Sequence, residues 1–160
     1  MSALLIVLTV VAGLGCAVVS GVFVAFSTLV MKALGRLPAP QGIAAMQAIN
    51  RAALAPVFLA LFMGTGAACL AVAVWSLFLW ENGFAAWLLV GGLLYLIGSF
   101  GLTAGYHVPR NDALDAVDPT GAGAAAQWTG YLRGWTRWNH VRAWASLAAS
   151  AVLIVGVVLG

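Results

Sequence analysis

Uncharged apolar runs, separated by short polar segments, dominate the pattern along this chain. Residues 1–31, 52–80 and 82–106 carry no charged side chain. A fourth uncharged run, 143–160, is long enough to span a membrane once the turn before it is included. A helix needs roughly 20 apolar residues to cross the hydrocarbon core. The pattern therefore predicts an all-α fold, a four-helix transmembrane bundle.

Breaks in this pattern set the expected ends of the helices. We expect one integral membrane domain, residues 1–160, with helices at about 2–31, 42–80, 84–107 and 137–159. Pro56 lies inside the second helix and predicts a kink, because it removes the hydrogen bond to the carbonyl of Ala52. Pro109 predicts the end of the third helix, because the residue before a proline is disfavoured in the α region.

Composition and charge support a membrane location. Only 7% of the residues are charged, against about 25% in soluble domains. The first run has no basic segment before it, so we expect a retained helix rather than a signal peptide. Glu81 alone lies on one predicted side, and the other side holds all the basic residues: Lys32, Arg36, Arg51, Arg110, Arg133, Arg137 and Arg142.

This asymmetry predicts the topology. Cytoplasmic loops of membrane proteins carry an excess of Lys and Arg, so both termini should lie outside the cytoplasmic membrane. Topology accounts for the net charge of +3, so we expect membrane lipid as a partner and no nucleic acid.

Small residues and two cysteines indicate where helices approach closely. The first helix has small residues at a spacing of four, which permits close packing between membrane helices: Gly13, Ala17, Gly21 and Ala25. Packing within the bundle is the first interpretation, and a homo-oligomer seam stays open. Cys16 and Cys69 should lie at similar depth as inert packing residues, with a disulfide or metal pair as the alternative.

A polar stripe opens the last predicted helix. Steps of four, three and four place four side chains on one helical face: Trp135, Asn139, Arg142 and Ser146. Lipid cannot satisfy such groups, so the stripe must face a protein interior or a water-filled site.

Polar residues of three predicted helices should meet this stripe at one depth. They are Asn50 and Arg51 of the second helix, His107 and Asn111 at the end of the third, and Asn139, His140 and Arg142 of the fourth. Topology requires the positive charges but not this convergence of histidine and asparagine. We therefore favour a functional site over a purely structural polar cluster.

Four stretches of the sequence, in order, carry a family resemblance. They are Gly21-Val-Phe-Val-Ala-Phe26, Met46-Gln-Ala-Ile-Asn-Arg51, Pro109-Arg-Asn-Asp-Ala-Leu114 and Trp135-Thr-Arg-Trp-Asn-His-Val-Arg142. On these stretches the chain resembles the anthrone oxygenase-like family of small four-helix membrane proteins, most of whose bacterial members have no assigned reaction. The resemblance implies a four-helix membrane fold and an oxygenase-like role, that of a cofactor-independent anthrone-type monooxygenase. It carries no assignment of catalytic residues.

Anthrone-type oxidation of a flat, lipophilic, polyketide- or quinone-like substrate needs a base and donors for an oxyanion. Neutral histidine suits the base, so His140 or His107 is the catalytic candidate. Asn50, Asn139 and Arg142 would hold the oxyanion. The remaining substrate-binding candidates are Arg51, Asn111, Trp135 and Trp138, the two tryptophans serving as walls for a flat ring.

Two other classes of function stay open. His107 and His140 could bind haem or a transition metal, although two histidines without a carboxylate are a thin ligand set. The chain could instead be a non-enzymatic membrane protein, such as a transporter subunit or an assembly factor. A bundle too tight for a cavity would favour this last class.

Overall fold

The computed structural model describes residues 1–160 and contains helices and turns but no strands. The helices are α1 (Ala3–Leu34), α2 (Ala39–Ala52), α3 (Pro56–Leu77), α4 (Ala85–Asp115) and α5 (Ala124–Leu159). Four of them, all except α2, are long and apolar enough to cross a membrane. The predicted all-α fold with four candidate transmembrane helices is therefore confirmed.

The four long helices form a ring in which each packs against two others. α5 lies between α1 and α4, and α3 closes the ring against the same two helices. The core between them is apolar, with fully buried residues such as Leu5, Val72, Leu88 and Leu153. Large apolar side chains also point outward, among them Val57 at 84% and Phe78 at 81% exposure. Apolar residues inside and outside are what a bundle surrounded by lipid requires.

The predicted kinked helix at 42–80 was wrong, because the structure has two helices there. α2 ends at Ala52, and α3 begins at Pro56 and ends at Leu77. Pro56 occupies the first turn of α3. Backbone N–H groups in a first turn make no intrahelical hydrogen bond, so a proline there costs none. Ala55 before it is extended, with ψ of 144°, as the proline ring demands. The chain therefore changes direction at residues 53–55.

The predicted helix end at Pro109 was also wrong, since α4 continues through it to Asp115. Two π-helical segments, Leu96–Gly101 and Thr103–His107, precede the final α-helical segment Val108–Asp115. Pro109 lies in the first turn of that segment. Proline is tolerated in a first turn, and the wider π turn before it relieves the clash with the preceding carbonyls.

α5 begins at Ala124 instead of near residue 137. Gly123 precedes it with φ of 86°, a left-handed conformation that favours glycine. Trp128, Tyr131 and Trp135 are all buried on one face of α5. They share a small core cluster with residues of α1, α2 and the end of α4, so this stretch packs on protein.

Glycines mark the closest approaches between helices. A Cβ on Gly92 would lie 2.8 Å from the carbonyl oxygen of Cys69, and one on Gly98 would lie 2.5 Å from the Cβ of Ala145. Among the small residues spaced by four on α1, Gly13 approaches α5, whereas Gly21 is exposed and no atom lies within 4 Å of the position that a Cβ would take. This series of small residues therefore packs against another helix at Gly13 but not at Gly21.

Two further observations concern depth. The Sγ atoms of Cys16 and Cys69 lie 3.5 Å apart, so the cysteines share one depth, as predicted. The amino group of Met1 donates a hydrogen bond of 2.9 Å to the carbonyl oxygen of Gly160. Both ends of the described chain therefore lie at the same end of the bundle.

Candidate functional site

A cavity of about 560 Å³ lies where α1 and α4 meet the break between α2 and α3. Sixteen of the 21 lining residues are hydrophobic, and the polar ones include Asn50, Thr103, His107, Asn111 and Arg142. A mainly apolar cavity with a few polar groups is typical of small-molecule sites. The bundle is thus not too tightly packed to hold a ligand.

Phenylalanine rings form one wall of the cavity. The Phe58 and Phe62 rings lie 6.0 Å apart at an interplanar angle of 18°, and the Phe62 and Phe100 rings lie 5.5 Å apart at 7°. Phe23 meets Phe62 edge-on at 6.3 Å. The hydroxyl of Tyr95 donates to the carbonyl oxygen of Phe62 at 3.1 Å, which fixes the middle of the wall. The near-parallel rings offer a face for a flat apolar molecule.

Arg142 provides a positive charge inside this apolar cavity. Its side chain comes from α5 and is only 7% exposed. Nε donates to Oδ1 of Asn139 at 2.7 Å, and Nη1 donates to the hydroxyl of Thr103 at 3.1 Å. Cζ lies 3.9 Å from the centroid of the Phe23 ring. These contacts hold the guanidinium in place without supplying a negative charge.

Asn139 holds Arg142 from behind and does not line the cavity. It is fully buried, and its Nδ2 donates to the carbonyl oxygen of Phe23 at 2.7 Å and to the hydroxyl of Ser27 at 2.6 Å. We expected Asn139 and Arg142 to face Asn50 or Arg51 of the second helix. Asn139 instead fastens α5 to α1, which makes it a positioning residue.

His107 and Asn50 line the cavity with unused hydrogen-bonding capacity. His107 is only 1% exposed, and neither ring nitrogen has a hydrogen-bond partner in the protein. Its ring meets the Trp135 ring nearly edge-on, with centroids 5.1 Å apart. Nδ2 of Asn50 is likewise buried without a partner. Buried polar groups are normally hydrogen-bonded, so these atoms are candidates for contacts with a ligand, which would reach them after a small rotation of the two side chains.

Asn111 and Trp135 close the polar end of the cavity. Oδ1 of Asn111 accepts hydrogen bonds from the hydroxyl of Tyr131 at 2.8 Å and from Nε1 of Trp135 at 3.0 Å. Trp135 is buried and lines the cavity, as a wall residue should. Asn111 therefore orients this tryptophan, and because it also lines the cavity its role in binding a substrate stays a prediction.

Besides Asn139, three candidate residues lie outside the cavity. Arg51 is exposed and forms an ion pair with Asp115. Trp138 is 38% exposed and packs against the ring of Tyr106. His140 lies on an exposed face of α5 and does not line the cavity. A helix turns about 100° per residue, so residues at the same depth can point in different directions.

The predicted convergence of the two histidines was therefore wrong. His107 is buried beside Trp135, whereas His140 is exposed on α5. A haem or metal site formed by both histidines does not fit this geometry. The structure also contains no group of three or more His, Cys, Asp or Glu side chains arranged to hold a metal ion.

Several residues in or behind the cavity wall were not predicted from the sequence. Thr103 in the lining accepts from Arg142, Ser27 behind it accepts from Asn139, and Phe58, Phe62 and Phe100 form the wall. Phe58 and Phe62 are four residues apart and thus share a helical face, which was an available signal. Phe23, which lies under Arg142, belongs to a stretch that carried the family resemblance.

The fold and the cavity define an integral membrane four-helix protein with an apolar, ligand-sized site. Compared with models of protein families, the chain matches the anthrone oxygenase family over residues 55–152. The match covers more than half of the chain, so the protein belongs to the anthrone oxygenase family, and membership supports an oxygenase-like role. It includes His107, Asn111 and Arg142 but not Asn50. No curated protein and no solved structure matches the chain.

Proposed function

We propose that this protein is a membrane-embedded oxygenase that oxidises a flat, lipophilic, anthrone-type substrate in the cavity. One observation carries the proposal: His107, without a hydrogen-bond partner, and the Arg142 guanidinium line the same apolar cavity. A base and a cation in an apolar space are suited to forming and holding an enolate. Family membership supports the reaction class.

Each polar residue has a role in this proposal. Neutral His107 removes a proton from the methylene carbon of the substrate, and the electron pair is delocalised through the aromatic rings to the carbonyl oxygen on the opposite side of the central ring. Arg142 and the amide of Asn50 donate to that oxyanion. Asn139 and Thr103 hold Arg142 through the hydrogen bonds described above, and Trp135 confines the ring system.

The chemistry then balances without an external reductant. The carbanion gives its electrons to dioxygen, a C–O bond forms, and protonation yields a hydroperoxide on the former methylene carbon. Cleavage of the O–O bond with loss of the second methylene proton leaves a carbonyl group and water. One oxygen atom enters the product, the other leaves as water, and the substrate supplies all four electrons.

A lipophilic substrate would reach the cavity from the bilayer. Exposed apolar residues of the lining include Leu54 at the break before α3, Leu59 in the first turn of α3 and Val108 on α4. Such a rim admits a molecule dissolved in lipid without transfer through water. Membrane lipid and a lipophilic small molecule are therefore the proposed partners.

Orientation in the cytoplasmic membrane is part of the proposal. Six of the seven basic residues are exposed, and Arg142 is the buried one. The positive-inside rule assigns the basic end of the bundle to the cytoplasm and both termini to the outside. The polar end of the cavity then lies toward the cytoplasmic leaflet.

Oxygen consumption with anthrone tests the function. The full chain in lipid nanodiscs should consume oxygen and form anthraquinone faster than empty nanodiscs do. His107→Ala should lower this rate by roughly 10²–10⁴, the usual contribution of a general base. His140→Ala is the matched control, because its side chain lies outside the cavity, and it should leave the rate unchanged.

Two results would contradict the proposal in different ways. If the wild-type protein gives no rate above the empty nanodiscs with anthrone or its hydroxylated derivatives, the oxygenase function is wrong. If folded His107→Ala protein keeps the full rate, the function stands but His107 is not the base. Circular dichroism and size-exclusion profiles would establish that the variant is folded.

A further inference from the structure

Arg142 has no negatively charged partner anywhere in the protein. The chain has four acidic residues, and each is exposed. Asp115 is paired with Arg51. Asp118 accepts hydrogen bonds from the backbone and the hydroxyl of Thr120, which lower the pKa of its carboxyl. Glu81 lies in the connection between α3 and α4, and Asp112 forms no salt bridge. None of them neutralises the buried guanidinium.

The hydrogen bonds of Arg142 leave room for a ligand. A guanidinium carries five N–H donors, and within the protein only one on Nε and one on Nη1 are engaged. The group lines the cavity, so a molecule there can reach the remaining donors. An unpaired charge in an apolar interior is costly, and pairing it with an anion removes much of that cost.

The surroundings of Arg142 restrict the rest of the ligand. Phe23 lies against the guanidinium, and the stacked Phe58, Phe62 and Phe100 rings extend from there along the cavity. The buried amide Nδ2 of Asn50 adds a further unpaired donor. A small hydrated anion would match the charge but not this wall. A flat aromatic body with one acidic oxygen matches both.

We infer that the cavity binds its ligand as a lipophilic aromatic anion, with a carboxylate or an ionised phenol on Arg142. The inference deepens the proposed function and rests on it, because it concerns the substrate of the same cavity. Two of the five N–H donors of Arg142 are engaged within the protein, so the guanidinium can hold this acidic oxygen before any proton is removed and still donate to the oxyanion that forms later. The preferred substrates are then anthrone-type molecules that carry a carboxylate or an acidic phenol, rather than anthrone itself or neutral hydrocarbons.

Binding of an unreactive acid tests this without turnover. Anthracene-2-carboxylate is fluorescent and ionised at pH 8, and its methyl ester has nearly the same shape without the charge. Both are titrated into the full chain in nanodiscs, with empty nanodiscs as the correction for partitioning into lipid. A charge-assisted pair predicts that the carboxylate binds about tenfold or more tightly than the ester. Equal affinities in the wild-type protein would overturn the inference.

Variants then locate the charge. Arg142→Gln should abolish the preference for the carboxylate and leave the ester affinity unchanged, whereas Arg137→Gln, an exposed change on the same helix, should keep it. Should Arg142→Gln fail to fold, Arg142→Lys replaces it. Lysine keeps the charge but cannot form the two parallel hydrogen bonds, so a reduced preference is expected. An unchanged preference in a folded Arg142→Gln variant would place the anion elsewhere and overturn the inference.

A competing acid separates the aromatic from the purely lipidic interpretation. Oleate has a carboxylate but no flat ring, so it should displace anthracene-2-carboxylate only at much higher concentration. Displacement at equal concentration would overturn the aromatic part of the inference and indicate a fatty-acid site. The oxygen assay is independent. Oxidation of anthrone without any acid preference refutes only this inference, and acid binding without oxidation refutes only the proposed function.

Discussion

The side-chain amide of Asn139 makes three hydrogen bonds that link α5 to α1 and hold Arg142. It is fully buried, it accepts from Nε of Arg142, and it donates to Phe23 and Ser27 of α1. The amide therefore joins two helices and fixes the direction of the only buried cation. In a low-dielectric interior such a network depends on every member being satisfied.

We predict that Asn139→Ala destabilises the protein by about 1–3 kcal/mol, because Nε of Arg142 is left buried without a partner. Thermal unfolding in detergent, followed by circular dichroism, measures the effect. His140→Ala is the neighbouring control and should unfold at nearly the wild-type temperature, since its side chain is exposed. Equal, small shifts in both variants would show that the Asn139 network contributes little.

The polar residues show what spacing can and cannot predict. Four side chains at helical spacing on α5 were predicted to share an inward face, and all four are buried: Trp135, Asn139, Arg142 and Ser146. Depth alone was a weaker guide. Arg51 and His140 were assigned to the site by depth, yet both point outward. Direction around a helix depends on its neighbours, and one sequence does not give their arrangement.

Prolines illustrate the same limit for whole helices. Pro56 interrupts an apolar run and starts a helix, whereas Pro109 follows an apolar run and lies in the first turn after a π segment. No pattern of residues predicts the π turns, which accommodate Pro109 and bring His107 into the cavity wall. The number of spans follows from hydropathy and is predictable. The exact ends depend on packing, as the early start of α5 shows.

Close contact between α3 and α4 provides a prediction for a pair of helices. A Cβ on Gly92 would lie 2.8 Å from the carbonyl oxygen of Cys69, which is backbone and cannot rotate away. Gly92→Ala should therefore push the helices apart and cost about 1–3 kcal/mol, as overpacking usually does. The measurement is the midpoint of thermal unfolding, which should fall by several degrees.

Gly105 offers the matched control on the same helix. No atom lies within 4 Å of the position that its Cβ would take. Gly105→Ala should be neutral or slightly stabilising, because alanine favours helix more than glycine does. If Gly92→Ala were as stable as Gly105→Ala, the two helices would have room to separate, and the close approach would not be required for stability.

At the scale of the whole molecule, the long helices exceed the hydrophobic thickness of a membrane. α5 has 36 residues, which corresponds to about 54 Å at 1.5 Å per residue, against about 30 Å for the hydrocarbon core. The excess lies at the end that holds α2, the last turns of α4 and the first turns of α5. This end carries the exposed basic residues, and it stands above the polar end of the cavity.

Topology is therefore the prediction on which the depth of the cavity depends. The hydrogen bond between Met1 and Gly160 places the start of α1 and the end of α5 on one side of the bundle. The basic residues lie on the other side. With the basic side in the cytoplasm, alkaline phosphatase fused after Gly160 should be active, because it folds only outside. The same enzyme inserted at Gly121, in the connection between α4 and α5, should be inactive. A fluorescent protein at these two positions should give the opposite pattern. If the phosphatase were active only at Gly121, the orientation would be the opposite one, and the Arg142 end of the cavity would lie toward the outer leaflet.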